Sequence, residues 1–185
     1  TMRHARQLVG ARAIADIPAP VGVAASTASA APTGAIGIED GVVPAGVSVF
    51  DNSYPAVSRL DGTLLVALRS AAGVARTGGV TFVVNSGWRS RAYQQYLLDQ
   101  AVTTYGSLSE ARRWVATPAT SPHVSGKAVD IGGTGAADWL GRFGATYGLC
   151  RIYQNEPWHF EFRARATTRG CPPGYTDPTH DPRMR

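Results

Sequence analysis

Between Ser58 and Ala75 the apolar residues Leu60, Leu64, Leu65, Leu68, Ala71, Ala72 and Ala75 recur at intervals of three and four, which predicts a helix with one buried face. Gly78-Gly79 stops it, and Val80 to Val84, β-branched and aromatic between glycines and Asn85, predicts a strand. Ser86 to Ser90 reads as a turn. Ser90 is placed to cap a helix running to about Tyr105, along which Tyr93, Tyr96, Leu97 and Gln100 repeat at helical spacing. Ser107 with Glu110 has the capping-box pattern and predicts a second short helix containing Trp114. Thr117 to Pro122, with its prolines and hydroxyl residues, fits neither element.

Further on, Ala128 to Ile131 predicts a short strand ended by Gly132-Gly133, and Thr134 a cap for a helix through Ala137, Leu140 and Phe143 to Tyr147. Leu149–Tyr153 and Trp158–Arg163 read as two antiparallel strands joined by residues 154–157. Residues 18–37 are rich in Ala, Pro, Gly, Ser and Thr without a usable period, as in a linker, and Arg6 to Ile17 is amphipathic enough for a short helix. The expected organisation is an irregular arm over 1–35, a folded domain over 36–165, and a Pro-rich tail over 166–185. The fold class is α+β: a single domain with a small antiparallel sheet flanked by helices.

Composition narrows the partners more than the fold. In 185 residues, 44% are hydrophobic and 17% charged, enough for one domain with a substantial core. The net charge of +5 is nearly all arginine, spread along the chain without a basic run interleaved with aromatics, so no nucleic-acid partner is expected. No apolar run reaches transmembrane length, so no integral membrane segment is expected. Two cysteines, Cys150 and Cys171, read either as a disulfide tying the tail to the core of an exported protein or as two free thiols.

The chemistry concentrates in two clusters, His123-Val-Ser-Gly-Lys-Ala-Val-Asp130 and Glu156-Pro-Trp-His159. Only four histidines occur, and His4 and His180 lie in the tails as bystanders. Taken alone, His123 reads as a hydrogen-bonded structural residue and Asp130 as a strand-end acid. Together with His159 they supply two imidazoles and one carboxylate, the usual set of three protein ligands in a catalytic zinc site. Gly126 lets the chain turn between a loop histidine and a strand aspartate. Glu156, three residues before His159 and separated from it by Pro157, is placed as a general base for an attacking water. Arg89 suits a developing oxyanion or a substrate carboxylate, Ser121 is a second polar contact, and Trp88, Tyr93 and Trp158 are candidate aromatic walls. There is no Gly-x-Ser-x-Gly elbow and no phosphate-binding glycine loop.

Ser121-x-His123-x-x-Gly126-x-Ala128-x-Asp130 with Glu156-Pro-Trp-His159 resembles the signature of zinc D-alanyl-D-alanine carboxypeptidases of the VanY type, in the M15 peptidase group. Ser86-Gly-Trp-Arg-Ser-x-x-x-Gln94 resembles that family's substrate-binding segment. The resemblance spans roughly residues 80 to 163 and implies the zinc D,D-peptidase fold. It further implies one zinc ion on His123, Asp130 and His159, with Glu156 as base and then proton donor, and Arg89 and Gln94 in the substrate site. The implied reaction is Glu-assisted hydrolysis of the terminal D-Ala-D-Ala bond of peptidoglycan stem peptides, outside the cytoplasmic membrane. The motifs carry no sign of oligomeric state, for which a monomer is the expectation. Relatives with the same metal chemistry include L,D-carboxypeptidases and endopeptidases, and a wall-binding module that kept the fold is the non-enzymatic alternative.

Overall fold

Backbone capping decides where the helices begin. In the computed structural model, which describes residues 35–185, the carboxylate of Asp61 accepts from the amides of Thr63 and Leu64, so the main helix starts there and not at Ser58. The preceding residues form a separate turn of helix, α1 (Pro55–Ser58), and α2 runs Gly62–Thr77 with Leu64, Ala67, Leu68, Ala71, Ala72 and Ala75 buried. Ser90 caps α3 (Arg91–Tyr105) by accepting from the Tyr93 amide, and Ser107 caps α4 (Leu108–Ala111) through Glu110. Trp114 falls beyond α4 and stacks on Tyr105 instead. The cap of α5 (Ala136–Phe143) is Gly135 at φ 74°, with no side-chain bond from Thr134, and α5 gives way to a 3-10 turn over Gly144–Tyr147. A last short α-helix, α6 (Ala166–Arg169), is followed by 3-10 turns over Pro178–His180 and Pro182–Met184.

Four antiparallel strands, β1 (Val83–Ser86), β2 (Ala128–Gly132), β3 (Leu149–Arg151) and β4 (His159–Phe162), form one sheet in the order β1-β2-β4-β3. The ladder of β1 begins later than its apolar run because the Val80 amide still bonds to Ala75 at the end of α2. It also extends further, to Ser86, through a bulge between Val84 and Ser86.

Alternation along the strands divides the sheet into two unlike faces. Val84, Val129, Ile131 and Phe160 pack with Leu64, Leu68, Leu140 and Leu149 into the main core. Each such fully buried side chain contributes about 1.5–3 kcal/mol. Asp130, His159 and Glu161 occupy the alternate positions, and register sets Asp130 directly opposite His159 on β4 and Ser86 on β1. An antiparallel sheet flanked by helices is the expected fold, with its polar chemistry gathered on one face of the two central strands.

Cys150 and Cys171 form a disulfide, which settles the alternative left open by composition. It is not the only tether of the tail. Met184 is buried with Cys150, Ile152, Tyr153 and Ala166, Asp177 pairs with Arg113, and Arg183 pairs with Glu161 on the central sheet. The Pro-rich tail carries no helical or strand period, but ion pairs need none. The expected helix over Arg6–Ile17, most of the 18–37 arm, and His4 lie outside the described residues. Among the described residues, no helix is long and apolar enough to cross a membrane.

Candidate metal centre

His123 arrives on the loop between α4 and β2, where Ser121 N–H bonds to Thr117 O, and Lys127 N–H to Pro122 O. Gly126 turns this loop at φ 70°, and its carbonyl accepts from the Asp61 amide; a Cβ there would lie 2.4 Å from Arg59 O, so both conformation and packing demand glycine. Asp130 and His159 come from adjacent strands. Three donor atoms converge: His159 Nδ1 is 3.2 Å from Asp130 Oδ1 and 3.3 Å from His123 Nε2, and His123 Nε2 is 3.5 Å from Asp130 Oδ1. Ligand atoms on a tetrahedral ion at zinc bond lengths stand ~3.4 Å apart, so this cluster is suited to hold zinc without rearrangement.

Each imidazole is oriented from behind. His123 Nδ1 lies 2.8 Å from Gly87 O, which can only accept, so the ring proton sits there and Nε2 keeps its lone pair for a metal. His159 is turned the other way, with Nε2 3.3 Å from Glu161 Oε1 and Nδ1 facing the cluster. Such rear acceptors fix the tautomer and aim of ligating histidines.

The charges around the cluster are strongly biased. Burial, assisted by the charge of Arg89, lowers the His123 pKa. Burial alone would also lower His159, but hydrogen bonds with Asp130 and Glu161 outweigh it and hold the ring up at about 10 in the metal-free protein. Burial would raise Asp130, yet the two histidines and Arg89 keep its carboxyl well below the usual range. Glu161 is likewise held down by His159 and Arg183 against the effect of its burial.

Glu156 sits beside the cluster, Oε2 3.6 Å from His159 Nδ1. Burial pushes its carboxyl up to about 8, and Oε1 has no hydrogen-bond partner among the described residues. Ser121 Oγ is a second buried orphan. An unpartnered buried oxygen beside the donor cluster, as at Glu156, marks a group kept for something the protein itself does not supply.

Arg89 is tied into the metal cluster. Its guanidinium donates to Asp130 Oδ2 at 2.8 Å, to Ser86 Oγ at 2.6 Å and to Gln94 Oε1 at 3.1 Å. Gln94, expected to meet substrate, is 1% exposed, with its amide nitrogen on Ala116 O, so both ends are engaged within the protein. Trp88, Tyr93 and Trp158 are half-buried, and Trp88 lies under the guanidinium of Arg59. His180 is exposed and pairs with Asp177, remote in role from the cluster. Sequence reasoning missed Glu161, Gly87 and Arg183. The signal for Glu161 was available, since two residues beyond His159 on a strand means the same face.

A family model described as VanY: D-alanyl-D-alanine carboxypeptidase matches residues 58–165. A D-alanyl-D-alanine carboxypeptidase of Enterococcus faecalis (strain ATCC 700802 / V583) is 32% identical over 56% of this chain and 48% of its own, so the chain spans about half the length of that relative. Among solved structures, a mutant of the vancomycin resistance D,D-pentapeptidase VanY from a VanB-type resistance cassette, in complex with Zn(II), is 30% identical. It covers 60% of this chain and 76% of its own, with a TM-score of 0.55. VanYB in complex with D-alanine-D-alanine is also 30% identical, covering 60% of this chain and 75% of its own with the same TM-score of 0.55.

Proposed function

The chain belongs to the VanY family of D-alanyl-D-alanine carboxypeptidases, and from that membership and its site we propose that it is a zinc-dependent D,D-carboxypeptidase acting on peptidoglycan stem peptides that end in D-Ala-D-Ala. The observation that carries this reading is the closed set of three donor atoms beside Glu156, a buried carboxylate with an unpartnered oxygen. When bound, zinc supplies Lewis-acid chemistry, acidifying a water and polarising a carbonyl oxygen.

The chain's own residues divide the remaining work. Glu156 accepts the proton of the attacking water at its carboxylate and returns it to the leaving amine; burial raises its carboxyl to about 8 in the metal-free protein, and a cation beside it lowers it from there toward ionisation, the form that takes the proton. Arg89 has five N–H donors and three are committed, which leaves two for a substrate carbonyl or terminal carboxylate. Gln94 acts through Arg89 by holding it in place. Ser121 Oγ offers a further polar contact, and Trp88, Tyr93 and Trp158 provide aromatic walls. The catalytic domain is assigned to 36–165, with an arm over 1–35 and the tail over 166–185. The Cys150–Cys171 disulfide favours an oxidising, extracytoplasmic setting, and we read the chain as a monomer.

Incubating the zinc-loaded protein with defined pentapeptide, tetrapeptide and cross-linked stems, followed by mass analysis, tests the reading. Loss of one D-alanine from the pentapeptide is expected. Cleavage restricted to the tetrapeptide or to the cross-link reassigns the bond, and wall binding without hydrolysis of any stem rejects an enzyme.

A further inference from the structure

Behind His159, on the side away from the donor cluster, lies a buried network that the chemistry above leaves unused. Glu161 is 1% exposed and faces His159 Nε2 through Oε1. Arg183, from the last residues of the chain, grips both oxygens of that carboxylate, NH1 on Oε2 at 2.7 Å and NH2 on Oε1 at 3.2 Å. Arg163 also comes near Glu161, its closest approach 2.9 Å at Oε2, while Arg183 donates to the oxygen that faces the imidazole. Arg183 is in turn fixed by Asp181, which is fully buried and receives Nε on both oxygens at 3.0 Å, with NH2 closing the pair. Tyr153 donates to Asp181 at 3.1 Å, and its ring packs against His159 with centroids 5.0 Å apart. The chain thus runs from its C-terminal segment through three charged groups to the back of one imidazole.

We propose that Arg183 and Glu161 are positioning residues for His159: the C-terminal segment clamps the Glu161 carboxylate, which holds the imidazole with Nδ1 aimed into the metal cluster. The physical reason is geometric. A carboxylate with one fixed oxygen pins the ring that donates to it, and a bidentate guanidinium fixes a carboxylate in plane as a single ammonium cannot. Outer contacts of this kind are worth about 10- to 100-fold in metal affinity. Asp181 and Arg183 lie beyond residue 165 and Glu161 before it, so the clamp joins this chain's tail to the segment that the family model matches.

The proposal rests on reading His159 as a zinc ligand, and one set of measurements separates the two. Zinc affinity is measured by chelator competition on the folded full chain and on Arg183→Gln, Arg183→Lys and Met184→Ala, with fold and melting temperature followed by circular dichroism. The expected result is zinc binding weakened about 10- to 100-fold in Arg183→Gln and less in Arg183→Lys. Met184→Ala, which loosens the buried tail without removing the guanidinium, is expected to lower the melting temperature and leave zinc affinity unchanged. Unchanged affinity in Arg183→Gln overturns the clamp while leaving the zinc site standing; absence of zinc binding by the unaltered chain overturns the site itself. Should Arg183→Gln fail to fold, Glu161→Gln, which keeps the side-chain volume, takes its place under the same criterion.

Discussion

The two imidazoles of the metal centre are held in opposite ways. His123 is fixed by backbone: its loop turns at Gly126, and its ring donates to the carbonyl of Gly87, 36 positions earlier. His159 is fixed by ionised side chains: Glu161, two positions on, and through it Arg183, 22 positions further along. The first arrangement is a property of backbone shape and the second of electrostatics, so perturbations that reach one histidine should spare the other.

The largest effect is expected at Glu156, which lies next to His159 but belongs to neither holding device. Glu156→Gln should reduce turnover of a stem pentapeptide by about 10²- to 10⁴-fold, the range for losing a general base, with zinc content unchanged. Turnover within a fewfold of the unaltered enzyme would remove Glu156 from its role; lost zinc would make it part of the metal-holding set.

Gly87→Ala attacks the backbone side of the comparison. A Cβ at that position would lie 2.0 Å from Ala56 O, so β1 and α1 must separate and the carbonyl that orients His123 must move. A cost of about 1–3 kcal/mol is expected, typical of overpacking, together with weaker zinc binding. Thermal denaturation and chelator competition read the two effects. A fully stable variant with native zinc affinity would mean that His123 does not depend on its backbone acceptor.

The protonation states sharpen the contrast further. In the metal-free protein His123 is pushed toward neutrality, whereas His159 is held up at about 10 and is charged at neutral pH. Zinc must therefore displace one proton, from His159 Nδ1, and none from His123. Zinc affinity should rise about tenfold per pH unit between pH 7 and 9, measured in the Glu156→Gln background so that the base contributes no proton of its own. A slope of two would erase the difference between the histidines. Linkage gives the opposite trend without metal: a group whose pKa is raised on folding stabilises fully below its ordinary 6.5, and that contribution disappears as pH climbs through about 10.

What the sequence disclosed follows the same division. Helix faces, the Ser90 and Ser107 caps, the antiparallel β3–β4 pair and the three donor residues are written in local periodicity, capping chemistry and short spacings, and they were legible. Asp130 and His159 could be named as partners, but their direct opposition on neighbouring strands is a matter of register, which only the folded sheet fixes. Arg183 was illegible for a stronger reason. An arginine in an aperiodic, Pro-rich tail has no pattern that distinguishes it from its solvated neighbours, and its partner was a glutamate whose significance depends on that same contact. Gln94 illustrates the converse, since its place beside Arg89 was readable while its burial was not.

The smallest expected effect comes from Asp61→Ala, and it tests whether scaffold stability and metal affinity separate on the His123 side. Asp61 caps α2 with its carboxylate, and its own amide donates to the Gly126 carbonyl at 2.8 Å, so one residue joins the main helix to the loop that carries His123. The substitution deletes the side-chain cap and leaves the backbone bond in place. Loss of such a cap costs about 1 kcal/mol, which for a chain of this size lowers the melting temperature by about 2–4 °C. Because His123 is aimed by Gly87 and its loop by Gly126, neither of which this change touches, zinc affinity should stay within twofold of the unaltered protein. A tenfold loss would mean that the loop takes its shape from the start of α2 as well as from its own glycine, and the backbone half of the centre would then depend on a side-chain carboxylate as the His159 half does.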